Sequence, residues 1–326
     1  MKFQFTILSM FSLVICASCG GGASSPPASD GNENVRNDNA VKLNINLTGS
    51  LQNPAFSPDG NAIVFTRFRD GYNMGASDLY TFDLVTEETT ALMSDGESNV
   101  NLPGSSWSGV NNSVVFSSAR EPHDEIFVIS AAAITGQEIQ ITDRPGIQSY
   151  EPSFSADGLW VVFESHVIDV DDDGVITKFK IDGSSDYIAL TESDNNKQPN
   201  WSPVGGKILY QKEDVVNGGW AIWTMDDDSG GNKLRITGMD ESATDAVFSN
   251  DGQSIIYSGE NENVVLSNIY SISSDGRDLA QRITNYDGYD GAPSISGDGL
   301  TIVFESVSGD PDISAGTAIW MIDISN

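Results

Sequence analysis

The amino-acid sequence predicts an all-β fold, a six-bladed β-propeller whose blades are four-stranded antiparallel sheets. The main observation is a short motif, usually Phe or Trp followed by Ser and often closed by Asp-Gly, which recurs at gaps of 51, 47, 47, 47 and 47 residues. Such regular spacing indicates one structural unit copied along the chain. The serines of the motif are Ser57, Ser108, Ser155, Ser202, Ser249 and Ser296.

Each repeat reads as four short strands. The motif ends the first strand, and a turn such as Pro58-Asp59-Gly60 then forms a tight hairpin, because Pro, Asp and Gly favour turn conformations. The second strand is β-branched and ends in an aromatic residue eight positions after the serine, as in Ile63-Val64-Phe65. The third strand carries another aromatic residue, and the fourth ends in an aliphatic-Thr pair such as Ile141-Thr142. The constant offset fixes the hairpin register and predicts that the aromatic residues form the core between blades.

Ring closure is predicted from the two ends of the repeat array. The sixth repeat, as it stands before Asn326, lacks a fourth strand, whereas residues 41–48 alternate in polarity and end in Leu47-Thr48. These residues are predicted to complete the last blade, which removes exposed strand edges. Residues 41–326 then form the propeller, and the alternatives are an open β-solenoid or a disordered leader. The blades are predicted to start near Asn53, Gly104, Glu151, Gln198, Asp245 and Ala292.

These motifs resemble the TolB-type propeller repeat of bacterial envelope proteins, over the whole of residues 41–326. The resemblance implies a six-bladed propeller. The founding member of that family also has an α/β domain, used with a peptidoglycan-associated lipoprotein, for which this sequence has no counterpart. The same repeat occurs in propellers fused to serine peptidases and in oligogalacturonate lyases, so the resemblance leaves the function open.

The first 19 residues are predicted to be a lipoprotein signal peptide, since Lys2 precedes an apolar stretch over residues 3–15. The sequence Cys16-Ala17-Ser18-Cys19-Gly20 resembles a lipoprotein cleavage site, which makes Cys19 the lipidated residue; an ordinary cleaved signal peptide is the alternative. Residues 20–40 are predicted to be a flexible tether, rich in Gly, Ser, Pro and Asn. In the family pattern, Gly20 favours the outer membrane, facing the periplasm, with surface exposure left open.

The composition is strongly acidic, with a formal net charge of −31. Such a surface repels nucleic acid and suits divalent cations or a basic partner, although solubility alone is the simpler explanation. The only two cysteines lie in the predicted signal peptide, so no disulfide is expected in the propeller. Stability is therefore expected to come from apolar burial.

One Asp-rich segment is a candidate calcium loop. Its alternating carboxylates and following Gly match the start of such a loop, but Lys180 stands where an EF-hand has Glu, and the flanks are strands. Calcium and a solvated acidic turn both remain open. The candidate ligands are Asp169, Asp171, Asp173, Val175 and Thr177.

No catalytic residue is predicted, and the chain is not expected to be an enzyme. It has no Gly-x-Ser-x-Gly motif, and its only histidines are His123 and His166, at non-equivalent positions of two repeats. Both are interpreted as exposed loop residues. The histidine-rich metal site of the lyases cannot be assembled from them.

Binding at the channel mouth fits the sequence better than catalysis. Polar and aromatic residues at the start of the first strands are predicted to ring this mouth, with plain solvation of loop ends as the alternative. The predicted function is a non-catalytic lipoprotein that binds envelope proteins or serves as a scaffold. The alternatives are a polysaccharide-binding or polysaccharide-degrading propeller with a divalent metal, and a structural spacer. The predicted ligand-binding residues are Asn53, Tyr150, Glu151, Gln198, Asp245, Tyr289 and Asp290.

Overall fold

Six four-stranded sheets follow one another along the chain in a computed structural model of the protein. The structure describes residues 35–96, 99–101, 106–120, 123–132, 137–170, 174–192, 194–239, 241–261, 264–307 and 316–325. Cys19, Gly104, Asp171 and Asp173 lie outside them, as does the predicted signal peptide.

The blades share one design, in which three strands pair in sequence order and a short fourth strand lies at the edge. The strands of the first half are β1 (Val41–Lys42), then β2 (Ser50–Phe56), β3 (Ala62–Phe68), β4 (Ser77–Asp83) and β5 (Thr89–Met93) of blade 1, β6 (Val100–Asn101), β7 (Ser113–Ser118), β8 (Glu125–Ser130) and β9 (Ile139–Gln140) of blade 2, and β10 (Ile147–Phe154), β11 (Trp160–Val167), β12 (Val175–Lys180) and β13 (Ile188–Ala189) of blade 3. Those of the second half are β14 (Asn196–Trp201), β15 (Lys207–Glu213), β16 (Trp220–Asp226) and β17 (Leu234–Arg235) of blade 4, β18 (Glu241–Phe248), β19 (Ser254–Asn261), β20 (Val264–Ser273) and β21 (Gln281–Arg282) of blade 5, and β22 (Asp290–Ile295), β23 (Thr301–Ser306) and β24 (Ala318–Asp323) of blade 6.

The predicted ring closure is confirmed, because β1 pairs antiparallel with β24 and completes blade 6. The register differs from the prediction. The Leu43 amide donates to the Ile319 carbonyl at 3.0 Å, as Ile141 does to Ile126 in blade 2, so Leu43 and not Leu47 holds the aliphatic position. Beyond it, the alternating apolar side chains pack against the core between blades 6 and 1 without extending the strand.

A Ser-x-Asp sequence closes the first hairpin of blades 1, 3, 5 and 6 with side-chain hydrogen bonds. The Ser57 hydroxyl donates to the Asp59 carboxylate at 2.6 Å and accepts from the Ala62 amide at 3.0 Å. The same pair of bonds occurs at Ser155, Ser249 and Ser296. The motif therefore fixes turns and does not form a site.

The aromatic residues eight positions after each motif serine form the core, as predicted. Clusters of apolar residues join neighbouring blades, since Val64 packs with residues of blade 2 and Val303 with residues of blade 1. All six aromatic residues are at most 2% exposed, namely Phe65, Phe116, Phe163, Tyr210, Tyr257 and Phe304.

Arg36 fastens the segment before β1 to blade 6, within the stretch predicted to be a tether. Its Nη2 lies 2.5 Å from Oδ1 of Asp290, which is fully buried, and donates to the Ser306 hydroxyl at 2.9 Å. The guanidinium carbon lies 4.2 Å from the ring centroid of Tyr286 and 4.6 Å from that of Trp320. The propeller is thus held closed by a buried ion pair as well as by β1.

Arg36→Ala is expected to lower the free energy of unfolding by about 3 kcal/mol, because it leaves the Asp290 carboxylate buried without its cation. Urea unfolding followed by tryptophan fluorescence measures this change. Arg277, 84% exposed and paired with Asp275, provides the control, and Arg277→Ala is expected to change stability by less than about 0.5 kcal/mol. Equal effects of the two substitutions would contradict the role given to Arg36.

Candidate functional site in the central channel

A ring of left-handed residues lines the channel. The residue four positions before the motif serine has a φ of 51° at Asn53, 50° at Glu151, 46° at Gln198, 51° at Asp245 and 46° at Ala292. These residues were expected to open the first strands, but each lies within its strand, at a β-bulge where the pairing register shifts. Non-glycine residues rarely adopt such φ values, and clusters of them mark sites where the backbone is held under strain.

The bulges turn neighbouring side chains toward one another across three blades. The Gln198 amide nitrogen donates to the Glu151 carboxylate at 3.1 Å and to the Asp245 carboxylate at 2.9 Å. The Gln198 oxygen accepts from the Asp245 backbone amide at 3.1 Å. Three of the predicted ligand-binding residues are therefore brought together in one hydrogen-bonded row.

A second set of residues, nine positions after the motif serine, crosses the seams between blades. The Glu164 carboxylate accepts from the backbone amide of Gln198 at 2.9 Å. In the same way the Glu305 carboxylate accepts from the amide of Asn53 at 3.0 Å, across the closing seam. These bonds satisfy the amides of the left-handed residues and hold the bulges in place.

Four buried or half-buried carboxyl groups occupy the channel wall: Glu151, Glu164, Asp245 and Glu305. Burial raises the pKa of Glu151 well above its ordinary value, and the negative charge of Glu164 raises it further. Burial also raises the pKa of Asp245. Among the described residues, none of the four carboxylates forms an ion pair with Lys or Arg, while Glu164 lies 3.0 Å from Nε2 of His166. The wall is therefore acidic.

Two tyrosines enclose Glu305. The hydroxyls of Tyr72 and Tyr289 each donate to Oε1 of Glu305 at 3.0 Å, and their rings meet edge to face at a centroid distance of 6.1 Å. Burial raises the pKa of Glu305 to about 7 in spite of these donors. Tyr289 was predicted from the sequence, but Tyr72 was missed because the loop that carries it follows no repeat pattern.

The other predicted mouth residues lie in different surroundings. Tyr150 is part of β10 and contacts the His166 ring edge to face at 5.6 Å, while its hydroxyl bonds to Asp124. Asp290 is committed to Arg36 and is not available to a ligand. Asn53 lies in the channel ring, where its side-chain amide donates to Asn101 at 2.6 Å.

His166 is not an exposed loop residue, so that prediction is wrong. It lies in β11, is 5% exposed, and its Nε2 is 3.0 Å from the Glu164 carboxylate. His166 lies two positions after Glu164 in the same strand, so the two side chains point to the same face of the sheet. It belongs to the support of the channel wall.

The predicted calcium loop is described only in part. Asp169 has a φ of 65°, whereas Val175 and Thr177 belong to β12. The Thr177 hydroxyl is buried and accepts a hydrogen bond from Ser165 at 3.1 Å, so it points into the blade. Calcium at this loop stays a prediction. Within the described ranges, no group of three or more His, Cys, Asp or Glu residues is placed to hold a metal.

A separate groove of about 460 Å³ lies between the first hairpins of blades 1 and 6. Phe56, Leu84 and Met321 contribute apolar lining, and Asp59 and Asp298 contribute carboxylates. The two carboxylates already accept hydrogen bonds from their motif serines, so they are less suited to bind a ligand than the carboxylates of the channel wall.

A closed ring of six blades around a polar channel defines the chain as a six-bladed β-propeller. The chain belongs to the TolB beta propeller domain family, whose pattern matches residues 34–246. No curated protein matches the chain significantly. None of the described residues forms a helix long and apolar enough to cross a membrane.

Solved structures show the same fold at low sequence identity. The structure of a putative TolB from Agrobacterium tumefaciens is 16% identical, with a TM-score of 0.62, and the match covers 88% of this chain and 97% of that one. TolB from Acinetobacter baumannii is 15% identical, with a TM-score of 0.61 over 83% of this chain but only 65% of that one, less than two thirds of its length. An oligogalacturonate lyase from Vibrio parahaemolyticus is 13% identical, with a TM-score of 0.55 over 88% and 94% of the two chains.

Ala292→Gly is expected to raise the free energy of unfolding by about 0.5 kcal/mol, because glycine removes the left-handed strain at the cost of one buried methyl group. Chemical denaturation measures the change. Ala243, buried in β18 with ordinary strand geometry, is the control, and Ala243→Gly is expected to lower stability by about 1 kcal/mol. A similar loss in both variants would show that residue 292 is not strained.

The stability of the protein is expected to fall as the pH rises from 4.5, the ordinary pKa of Glu305, to about 7, its pKa in the folded state. Over this range the folded protein holds a proton that the unfolded chain has lost. Asp245, Tyr72 and Tyr289 face Glu305 and contribute to its environment.

Thermal unfolding measured between these pH values tests this assignment. Glu305→Gln, which cannot ionise, is expected to flatten the slope and to melt higher than the parent near neutral pH. The exposed Glu88→Gln is the control and is expected to keep the parent's profile. An unchanged slope in Glu305→Gln would assign the pH dependence to other groups.

Proposed function

We propose that this protein is a non-catalytic protein-binding propeller of the bacterial cell envelope, anchored by a lipid on Cys19. Its membership of the TolB beta propeller family supports a protein-binding module. The sequence of the leader, with an apolar stretch ending at Cys16-Ala17-Ser18-Cys19, supports export and lipidation. The partner is another envelope protein that presents a basic segment.

The acidic wall of the channel is the observation that carries this proposal. Glu151, Glu164, Asp245 and Glu305 stand together without a Lys or Arg partner in the described part of the chain. Carboxylates in such a setting attract positive charge and favour a basic partner over an acidic one. The left-handed backbone holds Glu151 and Asp245 in position before any partner arrives, and hydrogen bonds to the next blade hold Glu164 and Glu305, which lowers the entropy cost of binding.

Affinity capture from envelope extract, with the full chain as bait, tests the proposal. A stoichiometric protein partner is expected to bind the parent and to be lost with the double substitution Glu151→Gln and Asp245→Asn, which removes negative charge while keeping side-chain shape. The double substitution Asp275→Asn and Asp278→Asn, in an exposed turn, is the charge-matched control and is expected to keep the partner. Capture that is equal in all three, or absent in all three, would overturn the proposal.

The same channel argues against a polyuronate ligand. Oligogalacturonate lyases share the fold, but polyuronates carry one carboxylate per sugar and need cationic groups to bind them. The described wall instead presents Glu151, Glu164, Asp245 and Glu305, which would repel such a chain. We therefore retain protein binding as the proposed function.

A further inference from the structure

One segment of the channel wall has more hydrogen-bond acceptors than donors. Gln198 uses its amide nitrogen on both Glu151 and Asp245, and its oxygen on the Asp245 backbone amide. The Asp245 carboxylate also accepts from the Thr244 hydroxyl at 2.9 Å. Asp245 also bonds to Ser258, and Glu151 to Glu164. Each carboxylate oxygen can accept two bonds, so the acceptor capacity of the two carboxylates is still not filled.

Gln211 adds a buried acceptor that has no donor. It occupies in blade 4 the position that Glu164 and Glu305 occupy in theirs, nine residues after the motif serine. There, its expected donor would be the backbone amide of Asp245, but that amide is already bound to Gln198. Gln211 is only 6% exposed, and its Oε1 finds no hydrogen-bond partner within the described residues.

From the equivalence of the repeats, we infer that the Gln211 side chain reaches the bulge that carries Asp245. Gln211 pairs with Lys197 across β14 and β15, next to the left-handed Gln198, and the equivalent side chains of the other blades reach the bulge of the next blade. A buried amide oxygen left without a donor is unfavourable, so the free protein maintains it at a cost. A ligand that brings N–H donors would satisfy it.

Aromatic side chains complete the surroundings. Asp245 lies within electrostatic range of the Tyr72 and Tyr289 hydroxyls and of Glu305. Carboxylates combined with aromatic rings are the usual surroundings of an organic cation in proteins, since the ring faces attract positive charge. A divalent metal is a poorer match, because no described group of carboxylates and imidazoles has metal-binding geometry.

We propose that Glu151, Gln211 and Asp245 form a binding site for a single organic cation, a primary ammonium or a guanidinium, with Tyr72 and Tyr289 beside it. The cation's N–H groups donate to the two carboxylates and to the Gln211 oxygen. The identity of the cation rests on the proposed function: if the partner is a protein, the cation is one of its lysine or arginine side chains. A free polyamine has the same chemistry and is the other source.

Isothermal titration of the full chain tests the site. One arm uses N-acetyl-arginine amide and N-acetyl-lysine amide, with N-acetyl-glutamine amide as the neutral control; a second arm uses spermidine, and a third uses calcium chloride alone. Saturable one-to-one binding of a cationic amino-acid amide is expected, with none of the neutral compound. Tighter binding of spermidine than of either amide would support the site and identify a free polyamine as its ligand.

Variants locate the binding in the channel. Asp245→Asn and Glu151→Gln are each expected to weaken cation binding by about tenfold or more, because each removes a charged acceptor. The exposed Asp275→Asn is the control and is expected to bind as the parent does. Circular dichroism spectra that match the parent's establish that the variants are folded.

Gln211→Met separates a ligand-binding role from a structural one. It keeps the length of the side chain and removes the unpartnered oxygen, so the free protein is expected to melt higher while cation binding weakens. A structural role for the oxygen predicts the reverse, a lower melting temperature with unchanged affinity.

Cation binding is also expected to weaken as the pH falls from about 8 to about 5, because protons compete for the carboxylates. The groups that face Glu151 are Glu164, Asp245 and, through Glu164, His166. The same pH series with the Glu151→Gln variant is expected to show a smaller change.

Three results would overturn the site: no saturable binding of any organic cation, binding unaffected by Asp245→Asn, or calcium binding that depends on Asp245 when the organic cations do not bind. Each of these can occur while affinity capture still yields a channel-dependent partner. Failure of the site and failure of the proposed function are therefore distinguishable.

Discussion

The fold depends on backbone amides that cross each seam to the preceding blade. Left-handed residues of the channel ring donate to side chains of the preceding blade, as Gln198 does to Glu164 and Asp245 does to Gln198. Further out, Trp201 donates to Ser153 at 3.1 Å and Phe248 to Asn200 at 3.3 Å. The closing seam between blades 6 and 1 uses the same two kinds of bond, so closure adds no new type of contact. The ring can close because the closing seam offers acceptors at the same two repeat positions as the seam between blades 3 and 4.

The acceptors differ in charge between blades, and this difference indicates which feature the fold requires and which it does not. In blade 5, Ser258 accepts from the Ala292 amide at 3.1 Å, so a neutral hydroxyl meets the structural need. Glu164 and Glu305 do the same in their blades with ionisable groups, whose charge is unfavourable in a buried wall without a cation. The seam bonds do not require that charge. Its presence is better explained by a ligand than by the fold.

The fold and part of the channel could be predicted from the sequence because the motif serines recur at an almost constant period. Any residue at a fixed offset from the motif serine could be placed on the ring, which is how Glu151, Gln198 and Asp245 were found. The seam residues such as Gln211 also keep a fixed offset, nine, and directly follow the aromatic residue of the second strand. They were missed because that strand was interpreted only as core.

The remaining differences come from segments outside the period. Tyr72 lies in a loop whose length varies between repeats, so no offset could place it. Asp290 was assigned to the mouth because its partner, Arg36, lies in a segment with no repeat pattern. His166 was expected in a loop because its strand extends past the aromatic residue further than the shortest repeats do. In each case a contact distant in sequence determined the position.

Two buried carboxylates outside the channel wall are neutralised by arginine, whereas those of the wall pair with no arginine that the structure describes. Asp78 is fully buried and binds Arg69 at 2.9 Å, and Asp290 binds Arg36. Even with only 16 Lys and Arg against 47 Asp and Glu, cations are supplied at these two structural positions. At Asp245 the protein instead combines an uncompensated carboxylate, a left-handed backbone and the unpartnered oxygen of Gln211. A buried carboxylate without a cation beside an amide oxygen without a donor is characteristic of a binding site, because the stability lost there is recovered only when a ligand binds.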